Sequence, residues 1–302
     1  MANTLNAFGF SQYAGTGSAP TYEQVRMSIK NGNTTSIFSC DPVIQATGTT
    51  GLGTGYITQA TAPVAVSISG GALSAGVLTF TFTALATAPP VGATIVVYGG
   101  TSTAATANGA FEIIASSTTT AAVAFSGAYT TGTASGYIFV PVAGIFVGCQ
   151  YQSTSAKKTV WSNYWPGTSD ASGDITAYVV NSPNAQWAVQ TANSNTTATA
   201  VGLSSVGQNI GINYLNSGGS QSNGNTSTGL STYFADQYTL PANFPTGYVG
   251  QNYMPFRIMG LQNSVVTGTS PFSGINGYDS TTAYNNIIVG FNNMMLKQLA
   301  GI

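Results

Sequence analysis

The sequence predicts an all-β protein, an antiparallel sandwich or barrel core carrying an inserted small β domain. Three observations predict it. Hydrophobic residues recur with period two along most apolar segments, and helical periodicity is nearly absent. The apolar runs are short, rich in β-branched and aromatic residues, and most are bounded by Gly, Asn, Ser or Pro clusters. Residues 61–138 shift in composition to Ala, Thr, Gly and Val, as an insertion would.

Taken in order, Gln24-Val25-Arg26-Met27-Ser28-Ile29-Lys30 puts Val25, Met27 and Ile29 on one face and Arg26 and Lys30 on the other. Leu78–Phe82 alternates in the same way. Further strands are predicted at Ile95–Tyr98, Phe111–Ile114, Ala121–Phe125, Ile145–Tyr151, Ala177–Val180, Ile210–Tyr214, Arg257–Leu261 and Ile287–Phe291. One short helix is expected near Ser231–Asp236. The boundaries give a core β domain in two parts, residues 1–60 and 139–302. Between them, residues 61–138 form a small β-barrel-like domain in which Glu112 is the only charge. The polar stretches Ala192–Ala200 and Asn216–Thr228 read as surface loops able to contact a partner.

The chain has 302 residues, enough to bury about three quarters of its unfolded surface without staples. Charge is scarce: six Lys and Arg and seven Asp and Glu make 4% of the chain, against about 25% in ordinary domains. Disorder does not explain this, because the chain is 43% hydrophobic and 11% aromatic. A folded surface of Thr, Ser, Asn, Gln and Gly does. With a net charge of −1 it resists association weakly, which suits a subunit held in an assembly. Nucleic acid is disfavoured as a partner, since Lys157-Lys158 is the only basic cluster. No stretch of about 18 apolar residues suggests a membrane span, and the opening residues lack the pattern of a signal peptide. Cys40 and Cys149 end the apolar stretches Ile37-Phe38 and Ile145-Phe146-Val147. They read as small buried thiols or as one disulfide, the latter disfavoured in reducing cytosol. The sequons at Asn33, Asn195 and Asn225 carry no weight without secretion.

The chemistry of catalysis is thinly represented. No histidine is present, which excludes His-based triads, zinc and iron sites and the commonest general base. The remaining candidates for a carboxylate pair are Asp170 and Asp174. They fit a polar turn, a weak calcium loop with Ser172, or a glycosidase pair. A calcium loop of the EF-hand kind would need a glycine and a distal Glu that are missing here. Gly51-Leu52-Gly53-Thr54-Gly55 superficially fits a phosphate loop, but no helix pattern follows it, so it reads as a flexible loop. Trp161, Tyr164 and Trp165 cluster beside Lys157 and Lys158. They fit a core or subunit contact, or a sugar-stacking face. The sequence therefore assigns no catalytic, cofactor or metal residue.

Several fragments in order resemble a known family. They are Phe8-Gly9-Phe10, Ile37-Phe38-Ser39-Cys40-Asp41-Pro42-Val43, Gly144–Tyr151, Trp161–Pro166, Ala177–Asn184, Asn225–Ser231, Pro255–Leu261 and Ile287–Asn293. Together they are similar to virion structural proteins of tailed bacteriophages, often regarded as capsid-associated, over residues 1–60 and 139–302. The segment 61–138 in turn resembles the small β-barrel modules inserted in phage structural proteins. The chain departs from the family's Gly-Asp-Pro at Cys40-Asp41-Pro42. The resemblance implies no catalytic residues to carry over and leaves the place in the virion open; the nearly uncharged surface and the thin catalytic chemistry favour a non-enzymatic cement or decoration subunit. Its partners would be the major capsid protein and further copies of itself, as a trimer, in a virion assembled in the host cytoplasm. A tail, neck or fibre component is the alternative, then a carbohydrate-binding adhesin, then a glycosidase. The major capsid protein itself would need a long spine helix and a charged extended loop, and the sequence has neither pattern. The N-terminal segment Ala2–Gly17, polar and studded with Phe8, Phe10 and Tyr13, is expected to reach a neighbouring subunit.

Overall fold

A computed structural model describes residues 5–14, 24–46, 55–61, 63–100, 107–194, 197–212, 224–240, 250–262 and 282–295. The protein is all-β, and no α-helix occurs among the described residues. Residues up to 60 supply β1 (Ser11–Ala14), β2 (Gln24–Ile29), β3 (Pro42–Gln45) and β4 (Ile57–Gln59). Six consecutive strands follow: β5 (Val64–Ser74), β6 (Val77–Phe82), β7 (Thr94–Tyr98), β8 (Gly109–Ser116), β9 (Thr120–Ala124) and β10 (Ala134–Phe139). After them come β11 (Val142–Gln152), β12 (Thr159–Ser162), β13 (Ile175–Val180), β14 (Gln186–Ala192), β15 (Asn209–Ile212), β16 (Ala235–Asp236), β17 (Phe256–Leu261) and β18 (Asn286–Phe291).

Strands β5 to β10 close on themselves as a barrel in the order β10-β5-β6-β9-β8-β7, with β7 returning to β10. Alternation sends Val66 and Ile68 of β5, Leu78, Phe80 and Phe82 of β6, and Val123 of β9 into the interior. Ser74 and Val77 are joined by Ala75 and Gly76, both at positive φ (50° and 78°), a two-residue turn whose twist matches the strands it links.

The rest of the chain forms a body of two sheets. One runs β2-β13-β11-β3-β4, with β12 folded back on β11, and its edges curl until Ser28 of β2 bridges Tyr56. The other runs β1-β14-β16-β15-β17-β18, and β18 pairs again with β14, so the pairings make a closed circuit with β1 added outside. All these strand pairings are antiparallel except β14 with β16, and the Ser28–Tyr56 bridge is parallel too. Ile44, Val142, Ile145 and Val180 from the first sheet meet Trp187, Val189, Phe256, Ile258 and Phe291 from the second in one core. The opposite face of the first sheet carries its own core around Phe146, Trp165, Ile175 and Val179. Outer-face residues of the barrel, Val96 and Phe139 with Tyr98 and Tyr137, pack against Met254 and Tyr253 of the body.

Two expectations are corrected. Ser231–Asp236 is extended rather than helical: Ser231 N–H bonds Ser39 O (2.9 Å), and fully buried Tyr233 donates its hydroxyl to Ala60 O (2.9 Å). Long-range pairing outweighs a weak local preference there. The described part of the N-terminal segment, residues 5–14, lies on its own chain. Gly9 N–H bonds Tyr233 O (3.2 Å), Phe10 is buried and stacks on Phe256 (4.3 Å between centroids), and β1 pairs with β14. Gly9 has φ +74°, and a Cβ there would lie 2.7 Å from Cys40 O and closer still to Ser231, so only glycine fits. The described part of the stretch after β14 is a surface loop as expected, with Ser194, Thr197 and Thr199 exposed, anchored by the buried Ala198 and Val201.

Candidate functional site

The few carboxylates come first, since any hydrolytic chemistry would need them. Asp170 accepts from Ser153 Oγ (2.6 Å), Thr154 Oγ1 (2.8 Å) and Ser155 N–H (2.7 Å), which holds its pKa well below the usual carboxylate range. Asp174 instead accepts from Asn31 N–H (3.0 Å) and the Tyr56 hydroxyl (2.8 Å), and these bonds lower its pKa. It stands at the seam where Ser28 meets Tyr56 and staples the curled sheet edges. The two acids thus serve separate partners, as in the polar-turn reading. No group of three or more metal-ligating side chains occurs among the described residues.

Asp236 accepts from Ser194 Oγ (2.5 Å), Ser194 N–H (3.0 Å) and Tyr238 N–H (3.1 Å), fixing the loop after β14. Beside it, Gln237 bonds Thr191 and Thr199, while Asn285 bonds Thr191 and both backbone groups of Val201.

Asp41 was not singled out by the sequence, yet among the described residues it is the most deeply placed acid, with no exposed surface. Its Oδ2 accepts from Phe38 N–H (2.8 Å) and Gln59 Nε2 (2.7 Å), while Oδ1 is buried and makes no hydrogen bond. Burial pushes the carboxyl up to about 7, although Ser231, Phe38 N–H and Gln59 pull the other way. An acid lodged between the apolar runs Ile37-Phe38 and Val43-Ile44 was the signal that could have found it.

The two cysteines are free thiols. Cys149 is buried, its thiol pushed up to about 12 by desolvation, and lies 3.4 Å from Tyr164 O. Cys40 is raised by the same cause and holds φ +72°. Neither is an activated nucleophile. Asn33 and Asn225 accept backbone N–H bonds in local turns, and residues 51–54 and Asn195 lie outside the described residues.

The aromatic cluster divides. Trp165 is fully buried and donates Nε1–H to Asn33 O (3.1 Å); Tyr164 stacks on Phe38 (5.4 Å). Trp161 is 66% exposed and stacks instead on Tyr178 of β13 (5.7 Å, 16° between planes). Adjacency in sequence grouped the wrong residues, because β12 ends at Ser162 and Trp165 bridges Ile37, while Trp161 pairs with Gln150 of β11. Tyr178, the true neighbour, becomes visible only once β12, β11 and β13 are paired.

No helix among the described residues is long and apolar enough to cross a membrane. Compared with known proteins, the chain matches no family model, no curated protein and no solved structure.

Proposed function

We propose that the protein is a non-enzymatic structural subunit of a tailed-phage virion. It would act as a cement or decoration protein that binds the major capsid protein as a homo-oligomer, a trimer. The observation that carries the reading is the fate of the acids. Asp41, Asp170, Asp174 and Asp236 each hold backbone N–H or side-chain donors of turns and seams. These four aspartates are engaged in folding contacts, and with six Lys and Arg and seven Asp and Glu in 302 residues the surface carries little charge. Large apolar side chains stand on that surface, among them Met259 (50% exposed) on β17 and Leu203 (51%) on a 3-10 turn beside it. Met and aromatic residues are what subunit contacts favour, while acids and lysines are depleted there.

The resemblance also gains support at one residue. Where that family has glycine, Cys40 adopts a left-handed backbone, the conformation glycine takes without cost. A subunit of this kind strengthens a shell by bridging neighbours, many weak contacts acting together. The test is a reconstruction of whole particles. The barrel and two-sheet body should appear at symmetry-related positions over the shell. Absence from the particle, or placement at a single tail vertex, would overturn the cement role, the second outcome making the chain a neck or tail component.

A further inference from the structure

The geometry points to a glycan-binding shelf on the exposed end of the β2-β13-β11-β12 sheet, with Trp161 as the platform for a pyranose ring. On one face of β13, Val180 lies in the shared core, whereas Tyr178 and Thr176 are half-buried outside it. The sheet therefore runs past its cover and leaves a platform. Trp161 stands there 66% exposed, yet it is not loose. One indole face lies against Tyr178 at 16°, and Tyr178 is tethered through its hydroxyl to Gln150 Oε1 (3.1 Å). On β11, between the strands of the two rings, Gly148 is the partner of Tyr178, so no side chain separates them. The second indole face is presented to solvent.

What surrounds that face decides its ligand. The strand register places Gln150, Thr176 and Ser28 in the row of Trp161, and Arg26 next to Tyr178. A cleft of about 360 Å³ adjoins the rings, its walls including Gln24, Asn163 and Val147. That size lies within the range of small-ligand sites. A pyranose has one face of polarised C–H bonds, which the electron-rich indole face attracts, and a girdle of hydroxyls, which planar amides and a guanidinium can bond. A second copy of the chain could also cover the tryptophan, and the test below separates that outcome from glycan binding. A nucleobase could stack too, but strand-binding grooves track phosphates with rows of cations, and the whole chain has six Lys and Arg.

The shelf can be tested in the full chain, independently of any place in a virion. Trp165 and Trp187 are fully buried, so emission quenched by acrylamide reports Trp161. The probes are maltohexaose, cellohexaose and chitohexaose as neutral arms and hexagalacturonate as the arm in which Arg26 meets a carboxylate. At least one should shield Trp161 from acrylamide in a saturable way. Trp161→Ala should weaken that oligosaccharide, followed by calorimetry, about tenfold or more, as loss of a stacking contact does. Trp161→Phe should retain most of the affinity, and unchanged circular dichroism would show both variants folded. The inference is overturned if no oligosaccharide shields Trp161, or if Trp161→Ala binds like the parent. Shielding that grows with protein concentration alone would also overturn it, assigning the shelf to contact between copies.

Discussion

The barrel and the body solve the same problem in different ways. In the barrel the core cluster is apolar throughout. In the body the core also encloses Asp41, Gln59, Thr191, Asp236, Gln237 and Asn285; every buried polar or charged side chain among the described residues belongs to the body. Connectivity accounts for the difference. All six barrel strands are consecutive in the chain, and three of their pairings (β5 with β6, β7 with β8, β8 with β9) join sequence neighbours, with the tight β5–β6 and β8–β9 hairpins setting register locally. Body strands come together from far apart: Asp41 with Gln59 and the Phe146 backbone, Thr191 with Asn285, Asp236 with Ser194. Apolar surface alone does not distinguish one distant partner from another, and satisfied buried hydrogen bonds do. What they cost is sensitivity to pH.

The largest effects should separate the two regions. Phe80→Ala hollows the barrel and Trp187→Ala hollows the body, each costing about 3–5 kcal/mol. Calorimetry should show two transitions, Phe80→Ala lowering one and Trp187→Ala the other. A single transition moved by both would mean that the contact through Met254 and Tyr253 fuses the regions into one cooperative unit.

Next comes pH, which should act on the body. Asp41 has a folded pKa raised to about 7, so the folded state holds its proton more tightly than the unfolded chain. Its contribution is therefore full below about pH 4 and is lost as pH rises through about 7, a change of at most about 4 kcal/mol. Asp236, also raised by burial, adds in the same direction. Asp170 and Asp174 work oppositely, stabilising above about pH 4 and losing that as the pH falls further. Body stability should peak near pH 4–6 and decline toward pH 8. Asp41→Asn should gain on the parent at pH 8, with the gap closing toward pH 4. Denaturant melts at several pH values check this, and a body transition that strengthens from pH 5 to 8 would contradict it.

The smallest effect lies in the barrel turn. Ala75 has φ +50°, a region that Asn accepts more readily, so Ala75→Asn should raise the barrel transition by about 0.5–1 kcal/mol. The body transition should stay where it is.

Legibility in the sequence follows the same division. Strands with one wet face announce themselves: Gln24–Ile29 alternates, and Val25, Met27 and Ile29 do pack inward. Strand β14 did not, because Gln186–Ala192 is buried on nearly every residue and shows no period. β16, two residues long, has no pattern to read. The polar stretch after β14 is a surface loop as its composition indicates, but nothing local reveals the anchors Asp236 and Asn285 that hold it. The shelf was half legible. Trp161 stood out by type, but its partner is set by register across three strands, which composition and spacing do not encode.

The central claim, attachment of a nearly uncharged subunit to a shell, is tested most directly by stripping purified particles. Separate series in rising salt and in mild denaturant would be followed for this chain by mass spectrometry. Contacts made by apolar area and neutral hydrogen bonds are little affected by ionic screening. The chain should stay bound through high salt and leave only in denaturant, together with weakening of the shell. Release by moderate salt alone would contradict the account.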